Sequence, residues 1–371
     1  MIRLVPRTDA SRSWVWLSPL LAIFATLVFG ALIFSALGYA PGDALYQYFI
    51  SPFSRADRIS DLMVKACPLI IIGVGLAFCY RANIWNIGAE GQYILGALTA
   101  GIVGLSFPDV ESRWLLGLMM LAGMAGGAAW ALLPAVLKIR FNTNEILTSL
   151  MLVYVAGLLL DVMVRGPLRD PMSFGFPLTP IYPDGGLISR MPLPGIGYLG
   201  QLHYGVLVAL IIAPLGWWLM HRTLPGFQVK VMGSAPRAAR FAGFNSKLAV
   251  VAVLCFSGAM AGMAGVVEVS ANIQQLQPNV SFGYGFTAII VAFLARLNPL
   301  AVILAGLVVA MAELGGDNAQ IAMGIPKVVT GIFKGALLFF LLAGATMQHY
   351  RLVWQGDRAA SHRSNTGEGT A

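Results

Sequence analysis

The chain has 371 residues, of which 58% are apolar or aromatic and 11% are Asp, Glu, Lys or Arg; ordinary soluble domains carry about 25% charge. With a mean hydropathy of +0.76, these totals exclude a soluble enzyme, a disordered chain and a fibrous protein, and leave a polytopic membrane protein. The formal net charge is +8, but no basic stripe with interleaved aromatics accompanies it, so the excess of Lys and Arg speaks for cytoplasmic loops and not for a nucleic-acid partner.

A helix crosses about 30 Å of hydrocarbon with about 20 residues. Apolar runs on that scale fall at 16–37, 62–80, 86–106, 115–137, 145–164, 204–221, 248–270, 284–297, 299–314 and 325–346. The first is longer than the apolar core of a signal peptide and no small-x-small site ends it, so it reads as a retained span. The eighth and ninth are nearly fused at Asn298-Pro299, and nine spans is the alternative count. With the N-terminus inside, fifteen Lys and Arg fall in inner segments against seven in outer ones, which places both termini in the cytoplasm. The expectation is an all-α polytopic membrane protein of about ten transmembrane helices. They form one transmembrane domain over 1–346, followed by a disordered cytoplasmic tail at 347–371.

Polar residues inside these runs are few, and an acid at mid-membrane costs about 2.5–3.5 kcal/mol. Asn83, Asn86 and Glu90 are spaced to share one helical face. Gly88 and Gly91 beside them permit close approach, and Gln92 follows. The group is either a polar seam along a pathway or an interhelical clasp near the cytoplasmic end. Asn142, Asn144 and Glu145 suit the N-terminal cap of the fifth span.

The outer connection, 165–203, carries seven prolines and seven glycines. Such a segment cannot lie in lipid; it is a cap on the outer face or a docking surface. The inner connection, 222–247, is short and basic. Pro225-Gly226 breaks the preceding span, and Ser234-Ala235-Pro236 opens a helix of about two turns. Ala238, Ala239 and Ala242 form a strip of small residues, Arg237 and Arg240 share a face, and Gly243 is the stop. Two turns are not stable alone in water, so this helix packs on the ends of its own spans or on a cytoplasmic partner. Further on, Gly258, Gly262 and Gly265 make a face for tight helix crossing. Glu268 then points into the bundle or an outer vestibule, and Asn272 follows. Glu313, just before Gly315-Gly316-Asp317-Asn318, is expected at the interface.

No GxxxxGK[ST] phosphate loop is present, nor HExxH or GxSxG. Gly283-Tyr284-Gly285 imitates a dinucleotide fingerprint but opens a span instead of a βαβ unit. The four histidines are scattered, so the chain is not expected to be an enzyme or to hold a metal or cofactor. Cys67, Cys79 and Cys255 lie in apolar runs and read as small buried hydrophobes.

The stretch Arg81 to Gly96, with Asn86-Ile-Gly-Ala-Glu-Gly-Gln92 at its centre, resembles a signature of permease subunits of bacterial ABC importers, the ribose, branched-chain amino-acid and nucleoside type. Thr143-Asn-Glu-Ile-Leu-Thr-Ser-Leu-Met-Leu-Val-Tyr154, Gly166-Pro-Leu-Arg-Asp-Pro171, and Gly233 to Gly243 followed by Ser257 to Gly265 are similar to segments of its nucleoside and simple-sugar branch. The likeness runs in order from about 60 to 345. Val153 departs from the Asn usual in that branch, and Phe244 from the Ile. The resemblance implies two five-helix halves related as inverted repeats, in a bacterial cytoplasmic (inner) membrane. It also implies three partners: an ATPase with two nucleotide-binding halves, a second related permease, and a periplasmic or lipid-anchored binding protein. ATP and Mg would be used by the ATPase alone. Gly233, Pro236, Arg237, Ala238, Ala239, Arg240, Ala242 and Gly243 would form the segment coupling to it. Asn83, Asn86, Glu90, Gln92, Glu268 and Asn272 would offer hydrogen bonds to a nucleoside or sugar in transit. The competing class is an ion-coupled secondary transporter, which needs buried ionisable pairs; no Arg or His within a span accompanies Glu90 or Glu268.

Overall fold

The structure, a computed structural model, describes residues 2–6, 12–193, 195 and 197–354. In chain order the elements are β1 (Ile2–Pro6), α1 (Arg12–Ala36), α2 (Pro41–Phe49), α3 (Ala56–Arg81), α4 (Ala89–Ser106), α5 (Trp114–Phe141) and α6 (Glu145–Arg165). Then come β2 (Arg190–Leu193), β3 (Gly197–His203), α7 (Gly205–Arg222), α8 (Leu224–Ser234), α9 (Pro236–Phe241), α10 (Ser246–Glu268), α11 (Tyr284–Leu294), α12 (Ala301–Met323), α13 (Val328–His349) and β4 (Tyr350–Trp354). A π-helical turn, Val269–Ile273, continues α10.

A helix lies on each of the ten apolar runs. Six helices among the described residues are long and apolar enough to cross a membrane: α3, α5, α6, α7, α10 with its π turn, and α12. The eighth run is a separate helix of 11 residues, about 16 Å long at 1.5 Å per residue. It ends at Arg296 and Leu297, both left-handed (φ 54° and 57°), so runs eight and nine are two helices joined by a short turn. The all-α expectation needs one correction: two antiparallel strand pairs are present, β1 with β4 and β2 with β3. The expected tail at 347–371 is corrected in part, because α13 and β4 carry order to Trp354; its remainder, 355–371, lies outside the described residues.

The chain divides into two compact units, residues 46–327 and the two ends, up to Leu45 and from Val328. In the unit of the ends, α1 packs on α13. Gly30 leaves room for the Phe333 ring, and Phe34 and Phe333 lie 5.3 Å apart. Ile2 stands opposite Trp354 in the strand pair.

The larger unit is organised on glycine. A Cβ on Gly96 of α4 would fall 2.2 Å from the Gly262 Cα of α10, and one on Gly262 would fall 2.1 Å from the Gly123 carbonyl oxygen of α5. Gly127 and Gly258 meet in the same way, and Gly265 lies on the Tyr93 carbonyl. The small-residue face expected from Gly258, Gly262 and Gly265 is therefore the seam joining α4, α5 and α10. Lipid is as apolar as a leucine, so close backbone approach rather than apolar burial holds such helices together. Along α3, the Cys67 and Cys79 thiols donate to the Gly205 and Val253 carbonyls, both at 3.2 Å. They are buried, as expected, whereas Cys255 is half-buried.

The 165–203 segment is an ordered cap. Gly185 rests on the Val110 and Ser112 carbonyls, and the Arg113 guanidinium donates to the Leu187 carbonyl (2.8 Å) and Ser189 Oγ (2.7 Å).

Candidate functional site

Asn83, Asn86 and Glu90 do not share a helical face. Helix α3 ends with Asn83 in the left-handed region (φ 57°). Its N–H donates to the Tyr80 carbonyl and the Ile84 N–H to the Cys79 carbonyl, the paired bonds by which a left-handed residue terminates a helix. Asparagine tolerates that conformation, so a polar spacing that fits a helix face also fits its end.

Asn86 and Gln92 form a closed clasp. Asn86 Nδ2 donates to Gln92 Oε1 (2.8 Å) and to Ser257 Oγ of α10 (3.0 Å), and Gln92 Nε2 donates back to Asn86 Oδ1 (3.0 Å). Asn86 Oδ1 also accepts the Gly88 N–H. Both side chains are buried and bonded to each other.

Glu90 occupies a different position. It lies in the first turn of α4 and is 6% exposed. Its Oε2 accepts the Gly285 N–H at 2.6 Å, and its carboxylate also faces the N–H groups of Gly283 and Phe286 and the Ser281 hydroxyl. They lie at the start of α11, where the helix dipole favours an anion; the Gly283 N–H also donates to Ser281 Oγ at 3.2 Å. Gly285 is required there, since a Cβ would fall 2.2 Å from the Glu90 nitrogen. The stretch that imitates a nucleotide fingerprint is thus a place where two helix starts touch.

Beside Glu90 opens a hollow of about 430 Å³, walled by Val153, Tyr154, Gly157 and Leu158 of α6, by Phe286 of α11, and by Pro278–Ser281. Most of the wall is apolar or aromatic; Glu90, Asn279, Ser281 and Tyr154 bring polar groups. Sequence reasoning found Glu90 and missed the other residues. The available signal was the irregular stretch before Gly283, which shows no period.

Glu268 and Asn272 belong together but not to this hollow. Asn272 Nδ2 donates to Glu268 Oε2 (2.9 Å) across the π turn. Lys65 of α3 is the charge acting on Glu268, and Lys65 pairs with Asp317 of α12, which Lys327 also meets at 2.9 Å. Glu313 is buried, with the Thr287 hydroxyl donating to it at 3.4 Å. The Tyr93 hydroxyl donates to the Val280 carbonyl at 3.3 Å.

At the other end of α7, the inner connection holds two helices where one was expected. Thr223 caps α8, its Oγ1 accepting the Gly226 N–H at 3.4 Å, and Pro225 sits in the first turn. The chain turns again at Ala235, with Pro236 opening α9. Ser234 is not the cap; its hydroxyl donates back to the Lys230 carbonyl. Gly243 (φ 78°) ends α9, its N–H donating to the Arg240 carbonyl and that of Phe244 to the Ala239 carbonyl. Ala239 is fully buried while Ala238, Ala242, Arg237 and Arg240 are exposed, so the alanine strip is split between two faces. Phe241, which the sequence reading passed over, is 94% exposed. Gly233 faces inward, against the Arg81 carbonyl. Desolvation, with the nearby Arg81 charge second, lowers the Lys230 pKa below the usual lysine range.

Asn144 caps α6, its Oδ1 accepting the Ile146 N–H at 2.9 Å, and Glu145 pairs with Lys138.

Comparison with known proteins follows this geometry. The sequence profile described as "Branched-chain amino acid transport system / permease component" matches residues 58–342. The chain is 33% identical to the glucose ABC transporter permease protein TsgB13 of Haloferax volcanii, over 96% of this chain and 95% of that protein. It is 28% identical to the guanosine ABC transporter permease protein NupP of Bacillus subtilis, over 88% and 92%. It is 27% identical to a second guanosine permease protein of that organism, NupQ, over 68% and 79%. The profile spans the hollow at Glu90, α9 and the glycine seam alike, and the chain belongs to the family of permease components of the branched-chain amino acid transport systems.

Proposed function

We propose that this chain forms part of the translocation route of an ATP-driven importer for nucleosides or simple sugars in a cytoplasmic membrane. The observation that carries the reading is the hollow at Glu90. A carboxylate anchored on a helix start, an amide, two hydroxyls and two aromatic faces surround about 430 Å³, within the few-hundred-Å³ range of small-molecule sites. Two similar guanosine permease proteins in one organism support a second, related permease as partner. An ATPase with two nucleotide-binding halves and a binding protein complete the assembly. The ten helices on the ten apolar runs are read as ten spans in two inverted halves, residues 1–346 as one permease domain, and 347–371 as its cytoplasmic end. In the coupling segment 222–247, Arg237, Ala238, Arg240 and Phe241 present the face that meets the ATPase. Gly233, Pro236, Ala239 and Gly243 shape it from within.

Energy enters as differential binding of ATP to two states of the assembly, and α9 conveys it. Ala238→Glu combined with Phe241→Glu should abolish ATP-driven uptake of radiolabelled solute while the chain accumulates in the membrane at its normal level. Uptake unchanged by the pair rejects the coupling face.

A further inference from the structure

We infer that Thr179, in the outer cap, is a positioning residue that holds the roof of the hollow at Glu90 through a seam of backbone hydrogen bonds. The inference rests on the reading of that hollow as part of the route.

The roof is the irregular stretch 274–283 between the π turn and α11, which brings Asn279, Val280 and Ser281 to the hollow. Irregular backbone at membrane depth needs partners outside itself, and the cap supplies them. The Ile188 N–H donates to the Ser270 carbonyl (2.9 Å), the Tyr182 N–H to the Gln274 carbonyl (2.9 Å) and the Thr179 N–H to the Leu276 carbonyl (3.1 Å). Thr179 alone closes the pair in both directions, because its Oγ1 accepts the Leu276 N–H at 2.9 Å. Thr179 is 1% exposed and Leu276 fully buried. Between these bonds Gln274 is left-handed (φ 64°), a conformation that a non-glycine residue keeps when its surroundings hold it.

The cap end of the seam is fixed by Arg113 on Leu187 and Ser189. The far end is fixed by Tyr93 on Val280 and by Glu90 on Gly285. Thr179 therefore sets how the roof sits over Glu90. A displacement of the cap reaches the hollow along the same bonds.

The test uses a reporter thiol. Gly157 lines the hollow, and a Cβ there meets nothing within 4 Å, so Gly157→Cys places a thiol in it. In cells carrying the full transporter, a membrane-impermeant maleimide added outside should label this thiol slowly. Thr179→Val keeps the side-chain shape and deletes the hydroxyl, which accepts the Leu276 N–H and donates to the Pro180 carbonyl at 3.1 Å; it should raise the labelling rate about fivefold or more, the effect of losing one or two buried hydrogen bonds on a closed–open equilibrium. Thr179→Ser should return the rate to that of the parent. A thiol at the exposed Tyr198 should label equally in all three. An unchanged rate in Thr179→Val, or an equal rise in Thr179→Ser, overturns the inference. In the unsubstituted protein, amide exchange of 274–276 should be as slow as that of 179–188; fast exchange confined to 274–276 also overturns it. If the labelled Gly157→Cys transporter still takes up solute at the parent rate, the route reading fails and the hold of Thr179 on the roof stands.

Discussion

At the residue scale, the informative contrast is between Glu90 and Asn86. Both were expected on one polar face. Asn86 makes reciprocal bonds with Gln92 and Ser257 and is finished as a structural group, whereas Glu90 borders open space. Glu90→Gln replaces a carboxyl group at the Gly285 N–H and its neighbours by an amide that turns its own N–H groups toward some of them. The α11 start should lose about 1–3 kcal/mol, read as a lower Tm in detergent, and uptake should fall with it. An unshifted Tm rejects the capping role. His203 supplies a pH dependence outside the spans. Burial lowers its pKa to about 4, against about 6.5 in the unfolded chain. Between those values the unfolded state binds more protons, so the β2–β3 hairpin is held above about pH 6.5 and loses stability as pH falls toward about 4. Amide exchange of 190–203 should quicken across that window, and His203→Gln should flatten the step. The acids and amides were legible as residues, because so few polar groups occur in the runs. Their roles were not, since partners such as Ser257 and Gly285 are distant in sequence.

At the element scale, the helices follow the apolar runs closely because length and hydropathy set them one segment at a time. The errors fall where backbone conformation decides. Asn83 and Arg296 end helices in the left-handed region, and α8 was missed because Pro225 reads as a breaker although it serves in a first turn. The glycine face of α10 was legible from its spacing; which helices it meets was not, because contact across the seam depends on backbone proximity alone. Gly262→Ala tests that seam. The added methyl meets the Gly123 carbonyl oxygen, and backbone cannot swing aside as a side chain does. A loss of about 1–3 kcal/mol or more is expected, measured as a lower unfolding midpoint in detergent, whereas Gly157→Ala, facing open space, should leave the midpoint in place.

At the scale of the whole molecule, composition identified a membrane protein, and four ordered motifs narrowed it to a permease. The strand pairing of the two chain ends had no signal, because β1 and β4 are short and stand more than three hundred residues apart. The short α11 has a consequence for the life of the chain in the cell. A helix of about 16 Å is half as long as a bilayer core is thick, and the stretch before it, bearing Asn279, is non-helical. In the proposed assembly, a protomer made without its companion would leave the hollow side of that stretch, at Asn279 and Ser281, to acyl chains, which satisfy no polar group. An orphan protomer should accordingly be cleared by membrane proteases, with a half-life after translation arrest several-fold shorter than when the sister permease is co-expressed; equal half-lives would show that the subunit is self-sufficient.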